Sequence, residues 1–386
     1  MKKIVILIVV ILFIVLGVII YMSYNNPKRI DYNDIKKDKI PKYLLENNMF
    51  IKYKDKAYKK LKSMSLDGKI GQIFLVRYPD INQVEDMKKY SFGGYLFFAR
   101  DFKDKKYDEV KSMISNLQDN SKIPLLTAVD EEGGYVVRVS SNPNLRSERF
   151  PSSRSLFLNG GMDSIYNDTV EKSKLLSGLG INLNLAPVVD ISQSEDDYMY
   201  SRSLGEDATT TGEFARTVIK ASKEDNYEVS YTLKHFPGYG NNVNTHTGKA
   251  YDNRSYEDIV NNDLVPFKEG INEGAEAILI SHNIVNSIDK ANPSSLSKKV
   301  HDLLIDDLDF NGVIITDDLE MDAVGESKEV IYKAVTSGND LIIVTDYDDA
   351  IKNVKDLIEE EKIDEKLIDK LVFKIISWKY YKKLLN

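Results

Sequence analysis

Residues 312–318 read Gly-Val-Ile-Ile-Thr-Asp-Asp, a short β-rich run that stops abruptly at two carboxylates. Seven other stretches have the same character: Gln72–Val76, Gly94–Ala99, Ile123–Val129, Ile181–Val189, Val229–Leu233, Ala277–Ser281 and Asp340–Thr345. Longer helical or amphipathic stretches separate them, which is the signature of parallel βα units. Eight such units close a (β/α)8 barrel, and a body of this length suits one. Polar groups sit at or just past the end of every run: Arg77, Arg100, Asp130, Asp190, Lys234-His235, His282, Asp317 and Asp346. In such barrels the C-terminal rim builds the active site. A strand also ends wherever polar loop begins, which would explain any one of these residues. Two of the four histidines and four aspartates landing there favour a site. An open doubly wound sheet is the alternative, but no Gly-rich phosphate loop supports it.

Outward from this body, the chain ends in Ile363–Leu385. Ile363, Leu367, Leu371 and Ile375 there recur at helical spacing, so a closing amphipathic helix is expected. Its lysines 379, 382 and 383 suit a helix C-terminus. At the other end, Lys2-Lys3 precede an uncharged run from Ile4 to Met22. At about 1.5 Å per residue this run matches the ~30 Å hydrocarbon core of a bilayer. The flanking lysines favour a cytoplasmic N-terminus and send the remainder outside. A cleaved signal peptide would have a shorter apolar stretch and a small-x-small cleavage site. An uncleaved signal-anchor at the cell membrane is therefore expected, with secretion after cleavage as the alternative. Residues 23–45 are polar and hold two prolines, and read as a linker. The expected fold class is α/β: one TIM-type barrel over 46–386, after a transmembrane helix in 1–22 and the linker 23–45.

Composition narrows the chemistry. The chain has 386 residues, 42% hydrophobic and 29% charged, with 52 Lys and Arg against 60 Asp and Glu. A net charge of −8 argues against a nucleic-acid partner, which calls for a basic face. No cysteine is present, so a disulfide scaffold, a thiol nucleophile and cysteine-ligated metal are excluded. Imidazole chemistry is confined to His235, His246, His282 and His301.

Four segments carry candidate chemistry. Lys234-His235-Phe236-Pro237-Gly238-Tyr239-Gly240 leads to Asn244-Thr245-His246. Its glycines and polar residues suit a loop that brings His246 over a ligand, where an imidazole serves as acid or base near neutral pH. An exposed loop histidine is the bland reading of the same segment. In residues 312–321, Asp317 stands at the seventh strand's mouth as a candidate nucleophile, and Asp318 as a cap for the following helix. In Asp130-Glu131-Glu132-Gly133-Gly134-Tyr135-Val136-Val137-Arg138, Asp130 can accept bonds from two sugar hydroxyls. Arg138 can fold back onto the same ligand through the Gly-Gly turn, unless the two only pair with each other. Arg202 lies in the polar loop after the fourth strand, either reaching the pocket or remaining a solvated charge.

Taken in order, GGYLFFAR, AVDEEGGYVVR, NLNLAPVVDIS, RSLG, KHFPGYG, SHNIV, PSSLSKKV and GVIITDDLEMDAV resemble glycoside hydrolase family 3, specifically its β-N-acetylhexosaminidase branch. The likeness runs from about Met64 to Thr345. It implies a retaining, exo-acting enzyme that removes terminal β-linked N-acetylglucosamine from peptidoglycan fragments or chito-oligosaccharides. Asp317 is implied as the nucleophile that forms a covalent glycosyl-enzyme. His246 is implied as the acid/base, and Asp130, Arg138, Arg202, Lys234 and His235 as the grip on the sugar. The implied partners are the carbohydrate and, through the N-terminal helix, the membrane; no metal or organic cofactor is expected.

Two positions depart from the family's pattern. Asn244 stands where an Asp normally orients the acid/base His and stabilises its cationic form. An amide orients a ring through its oxygen but carries no charge, so His246 is expected to be less basic than in relatives. Tyr239 stands where His is common. Asn244 therefore supports a second class of reading, a membrane-tethered barrel that binds amino sugars but hydrolyses them poorly. A β-glucosidase is a weaker option, because those relatives usually carry a further domain supplying the acid/base. An aldolase- or isomerase-type barrel would need a phosphate site in its last loops. Thr345-Asp346-Tyr347-Asp348-Asp349 is too acidic for one.

Overall fold

A computed structural model describes residues 39–240, 245, 248–325 and 327–386. The apolar segment 4–22 and the candidates Asn244 and His246 lie outside the described residues. Among the described residues, no helix is long and apolar enough to cross a membrane. The compact body spans Lys42–Asn386.

Ten strands form: β1 (Phe74–Arg77), β2 (Gly94–Phe97), β3 (Leu126–Val129), β4 (Leu183–Asn184), β5 (Ser230–Phe236), β6 (Tyr251–Asp252), β7 (Ala277–Ile280), β8 (Ile284–Val285), β9 (Val313–Thr316) and β10 (Ile342–Val344). Eight of them make one sheet in the order β10-β1-β2-β3-β4-β5-β7-β9, every pair parallel. The seam between β9 and β10 is bridged where Leu341 N–H donates to Ile314 O at 3.0 Å and Thr316 N–H to Leu341 O at 3.1 Å. The sheet thus rolls into a nearly closed barrel, and each of the eight expected runs overlaps one of its strands, with β1 and β5 extending past the ends of theirs. Helices separate most of the strands, the longest being Ser153–Leu179 and Glu365–Tyr381. With helices outside and packed side chains inside, the strands are buried on both faces, hence their unbroken apolar character.

The fourth run was read as nine residues, yet β4 has only two. Leu185 N–H still donates to Val129 O at 2.8 Å, but Pro187, three residues past the strand, has no N–H to give a ladder. The chain stays with its neighbour more loosely, through the Val188–Lys234 bridge. β6 and β8 form a separate parallel pair that no periodicity announced, each strand being two residues long. This pair carries Asp252 next to Arg254, whose guanidinium reaches Asp263 at 2.7 Å.

The helix Glu365–Tyr381 starts on Asp364, whose carboxylate accepts from Lys366 N–H. It buries Ile368, Leu371, Val372, Ile375, Ile376 and Trp378. Its partners show where it lies. Lys374 Nζ donates to Gly312 O just before β9, Trp378 Nε1 to Glu276 just before β7, and Lys379 Nζ to Gly93 O just before β2. The helix therefore covers the N-terminal end of the barrel, opposite the rim that carries chemistry.

Two of its lysines are not the dipole partners that the sequence suggested. Lys379 is fully buried and donates to Gln72 Oε1 and Gly93 O, both at 2.8 Å. Lys382 is buried with Ser230 Oγ at 2.6 Å. Burial, and secondarily the charge of Lys60, pulls the Lys379 amine down to about 7. A neutral amine still has two N–H groups for the two carbonyl oxygens. The unfolded chain holds this proton to about pH 10.4, so between pH 7 and that value it binds more protons than the folded one, and stability rises with pH. Urea unfolding of residues 39–386 should therefore give a larger free energy at pH 9 than at pH 7. Lys379→Met should flatten that rise; an unchanged slope would show the amine to be protonated in the fold.

Candidate active site

The C-terminal ends of the strands surround a cavity of about 560 Å3. All six described candidates line it: Asp130 after β3, Arg138 and Arg202 from the loops after β3 and β4, Lys234 and His235 within β5, and Asp317 after β9. Successive strand residues ordinarily point to opposite faces. Here the β5–β7 register slips between Leu233 and Phe236, and both Lys234 and His235 face the cavity.

One wall is a largely buried charge network. Lys234 Nζ lies 2.6 Å from Asp130 Oδ1 and 2.7 Å from Glu132 Oε1. Arg202 grips Glu132 with two parallel bonds, Nε to Oε2 at 3.0 Å and Nη2 to Oε1 at 2.6 Å. Arg138 Nη2 stands 3.7 Å from Asp130 Oδ2. The suspected Asp130–Arg138 pairing thus exists, but it leaves both side chains on the cavity. Arg202 is a partly buried network member rather than a solvated charge. Burial opposes the Glu132 charge, yet Arg202 and Lys234 hold its carboxyl far below the ordinary range. Burial likewise opposes the Lys234 ammonium, and Asp130 and Glu132 raise it in spite of that. Such a network contributes little net stability, because desolvation offsets the attraction. Its result is a fixed set of donors and acceptors.

Glu132 was not among the candidates, although alternation puts residues 130 and 132 on one side of an extended chain. Glu131 points the other way and shapes the turn. Its carboxylate accepts the N–H groups of Arg138 and Val139, both at 2.7 Å, which brings Arg138 back over Asp130. The turn requires glycine at 133, where φ is +106° and a Cβ would stand 2.1 Å from Pro151 O.

Asp190 is a second residue that the sequence did not single out beyond its strand-end place. Its Oδ2 accepts from His235 Nδ1 at 2.7 Å and from the His235 backbone N–H at 3.2 Å. Its Oδ1 accepts from Tyr239 N–H at 2.7 Å. With Nδ1 turned to Asp190, His235 presents Nε2 to the cavity, 3.5 Å from Arg202 Nη2.

Across the cavity, Asp317 is anchored by its N–H to Ile280 O at 3.0 Å, while its Oδ1 accepts Asp318 N–H at 2.9 Å. Burial works against its charge. The His282 and His235 imidazoles, the Asp318 N–H and the Lys234 ammonium outweigh it and hold the carboxyl below its usual value. His282 is itself fixed by Ser295 Oγ at 2.6 Å and Asp318 O at 2.9 Å. Asp318 caps no helix, contrary to expectation. The next helix begins at Lys328 on Ser327, and Asp318 instead accepts Glu320 N–H at 3.1 Å within a turn. Burial pushes the Asp318 carboxyl up to about 6, against the pull of Glu320 N–H and Arg77 and with help from the charges of Asp317 and Glu320. Arg77 also bonds Glu320 and stacks on Phe98, 4.5 Å from the ring centre. Arg77, Phe98 and Tyr198 also line the cavity.

A partly buried carboxylate kept ionised, opposite a fixed set of donors and acceptors, can act as a nucleophile toward a polar ligand held in the cavity. The sequence model described as "Glycosyl hydrolase family 3 N terminal domain" matches residues 65–378. The chain belongs to glycosyl hydrolase family 3. A beta-hexosaminidase of Glaesserella parasuis is 30% identical over 293 residues, 74% of this family 3 chain and 84% of that relative. A family 3 beta-N-acetylglucosaminidase from Paenibacillus superposes with a TM-score of 0.77 at 26% identity, over 83% of this chain and 63% of that longer protein. The Mycobacterium tuberculosis protein LpqI shares the fold, with a TM-score of 0.74 at 24% identity over 83% of this chain and 95% of its own. The family 3 barrel is thus present here.

Proposed function

We propose that this glycoside hydrolase is an exo-acting, retaining β-N-acetylhexosaminidase. The observation that carries the reading is Asp317, partly buried and held ionised, facing the Lys234–Asp130–Glu132–Arg202 network across one cavity. The names of the relatives in both comparisons agree with it. A terminal β-linked N-acetylglucosamine, from chito-oligosaccharides or peptidoglycan fragments, enters the cavity. Asp130 accepts bonds from its hydroxyls, and Lys234, Arg138, Arg202 and His235 donate to its oxygens. Asp317 attacks the anomeric carbon, the bond from that carbon to the leaving oxygen breaks, and His246 gives that oxygen its proton. Water, losing a proton to His246, then attacks the glycosyl-Asp317 ester and releases the sugar with its configuration retained. Asn244, an amide in place of a carboxylate, adds no negative charge to this step. The apolar segment 4–22 tethers the barrel to the outer side of the cell membrane, where cell-wall glycans are met.

Paired chromogenic substrates test the reading. Residues 39–386 should release the chromophore from the β-N-acetylglucosaminide and leave the β-glucoside largely intact. Release from the glucoside instead moves the chain to another branch of the family. Release from neither, with the sugar still bound by a folded protein, makes it an amino-sugar-binding barrel.

A further inference from the structure

Tyr239 leaves β5 through Pro237-Gly238 and ends in a place that neither the family membership nor the network explains. Its backbone N–H is held by Asp190, and its ring packs with Val188 and Met199. The ring meets His235 edge-on and Tyr198 at a tilt, each with centroids 5.7 Å apart. Behind it, Gly238 rests on Asp263, where a Cβ would come within 2.3 Å of Oδ1. Asp263 is in turn clamped by Arg254 at 2.7 and 3.1 Å. The ring is therefore fixed from several sides. At its tip the phenol oxygen accepts Thr245 N–H at 2.9 Å and exchanges a second bond with Thr245 Oγ1, also at 2.9 Å. Both residues are buried. Burial pushes the phenol up to about 12, so it remains a neutral group able to accept from the amide and donate to the hydroxyl together.

Two bonds from one rigid oxygen to one residue fix both the place and the orientation of its peptide. Thr245 is joined directly to Asn244 and His246, and successive Cα atoms are about 3.8 Å apart. We propose that Tyr239 is a positioning residue for the acid/base step, its hydroxyl anchoring the chain at Thr245 so that His246 departs from a fixed point. The proposal rests on the reading of His246 given above. A misplacement of about 1 Å can cost roughly 100-fold in rate.

The test separates acid catalysis from general damage by leaving group. A dinitrophenol departs without a proton, whereas the sugar alcohol of an N-acetylglucosamine disaccharide needs one. Tyr239→Phe keeps the ring and removes one oxygen. Its kcat/KM on the disaccharide should fall about ten-fold or more and stay within about three-fold on the dinitrophenyl glycoside, with KM little changed. His246→Ala should show the same selectivity more strongly. Thr245→Val, which removes the partner hydroxyl, carries the test if Tyr239→Phe does not fold. Equal losses on both substrates, or none, in a folded variant while His246→Ala is selective would overturn the anchor and leave the acid/base reading intact. An unselective His246→Ala would overturn both.

Discussion

Asp317→Gly is expected to fold normally and to hydrolyse the chromogenic N-acetylglucosaminide at least about 10³-fold more slowly, a loss on the order of 4 kcal/mol of transition-state stabilisation. Among the described residues, this partly buried carboxylate forms no ion pair with a lysine or arginine: Lys234 is engaged by Asp130 and Glu132, and Arg202 by Glu132. His282, His235, the Asp318 N–H and Lys234 hold it ionised, the form that attacks a carbon electrophile. Azide added to Asp317→Gly should enter the space that the carboxylate vacates, form a bond from nitrogen to the anomeric carbon, and yield the α-glycosyl azide. A variant that keeps its rate, or an azide product of β configuration, would remove Asp317 from the nucleophile's role. The depressed carboxyl also sets a sign. The ionised form is required, so kcat/KM should hold as pH falls through the ordinary carboxylate range and decline only below it, provided other groups do not titrate first. Asp318, pushed up to about 6, is one such group. Asp318→Asn should remove any inflection near that pH while leaving the lower limb.

The barrel was legible in the sequence because parallel strands buried on both faces cannot alternate with polar residues, so each surfaced as an apolar run with a polar stop. The fourth run was over-read because hydrophobicity continues through Val188 and Val189 while Pro187 cannot join a ladder. β6 and β8 were illegible since two residues have no period. Within the site, the residues at strand ends were readable one by one, and their convergence is what the fold adds. Glu132 escaped notice in a run of three acids, where only the backbone tells which of them turns inward. Asp190 was visible as a strand-end carboxylate, but its work is done through His235 and Tyr239, forty-five and forty-nine residues away. Lys379 and Lys382 were misread for the opposite reason. Lysines near a helix end suit the dipole, and nothing local reveals that the barrel's N-terminal end, with its own carbonyls, will lie against them. The Asn244–His246 pair stays an inference from motif and chain connectivity, which is why Thr245, the described residue between them, bears so much of the reasoning.

Lys234→Met should be the most damaging change to the network itself. It removes the ammonium from between two carboxylates at 2.6 and 2.7 Å and leaves the aliphatic stem in place. Glu132 keeps both bonds from Arg202, whereas Asp130 retains only Arg138 at 3.7 Å. Breaking one partner out of a buried ion set costs about 3–5 kcal/mol, much of it for the charge left behind. The deficit should depend on pH in a stated direction. Without Lys234, two carboxylates face each other with like charge and no ammonium between them, a repulsion that protonation relieves. A raised carboxyl favours the fold at low pH and loses that contribution as pH climbs through it. The gap in unfolding free energy between the two proteins should therefore be smaller at pH 5 than at pH 8. Adding Asp130→Asn to Lys234→Met should recover part of the stability by removing the stranded charge, a coupling that a double-mutant cycle reads directly. It should not recover hydrolysis, because the acceptor for the sugar hydroxyls is then gone as well. A variant within about 0.5 kcal/mol of the parent, with no pH dependence in the gap, would mean that water rather than protein solvates these carboxylates. The fixed fan of donors on which sugar recognition rests would then have to be abandoned.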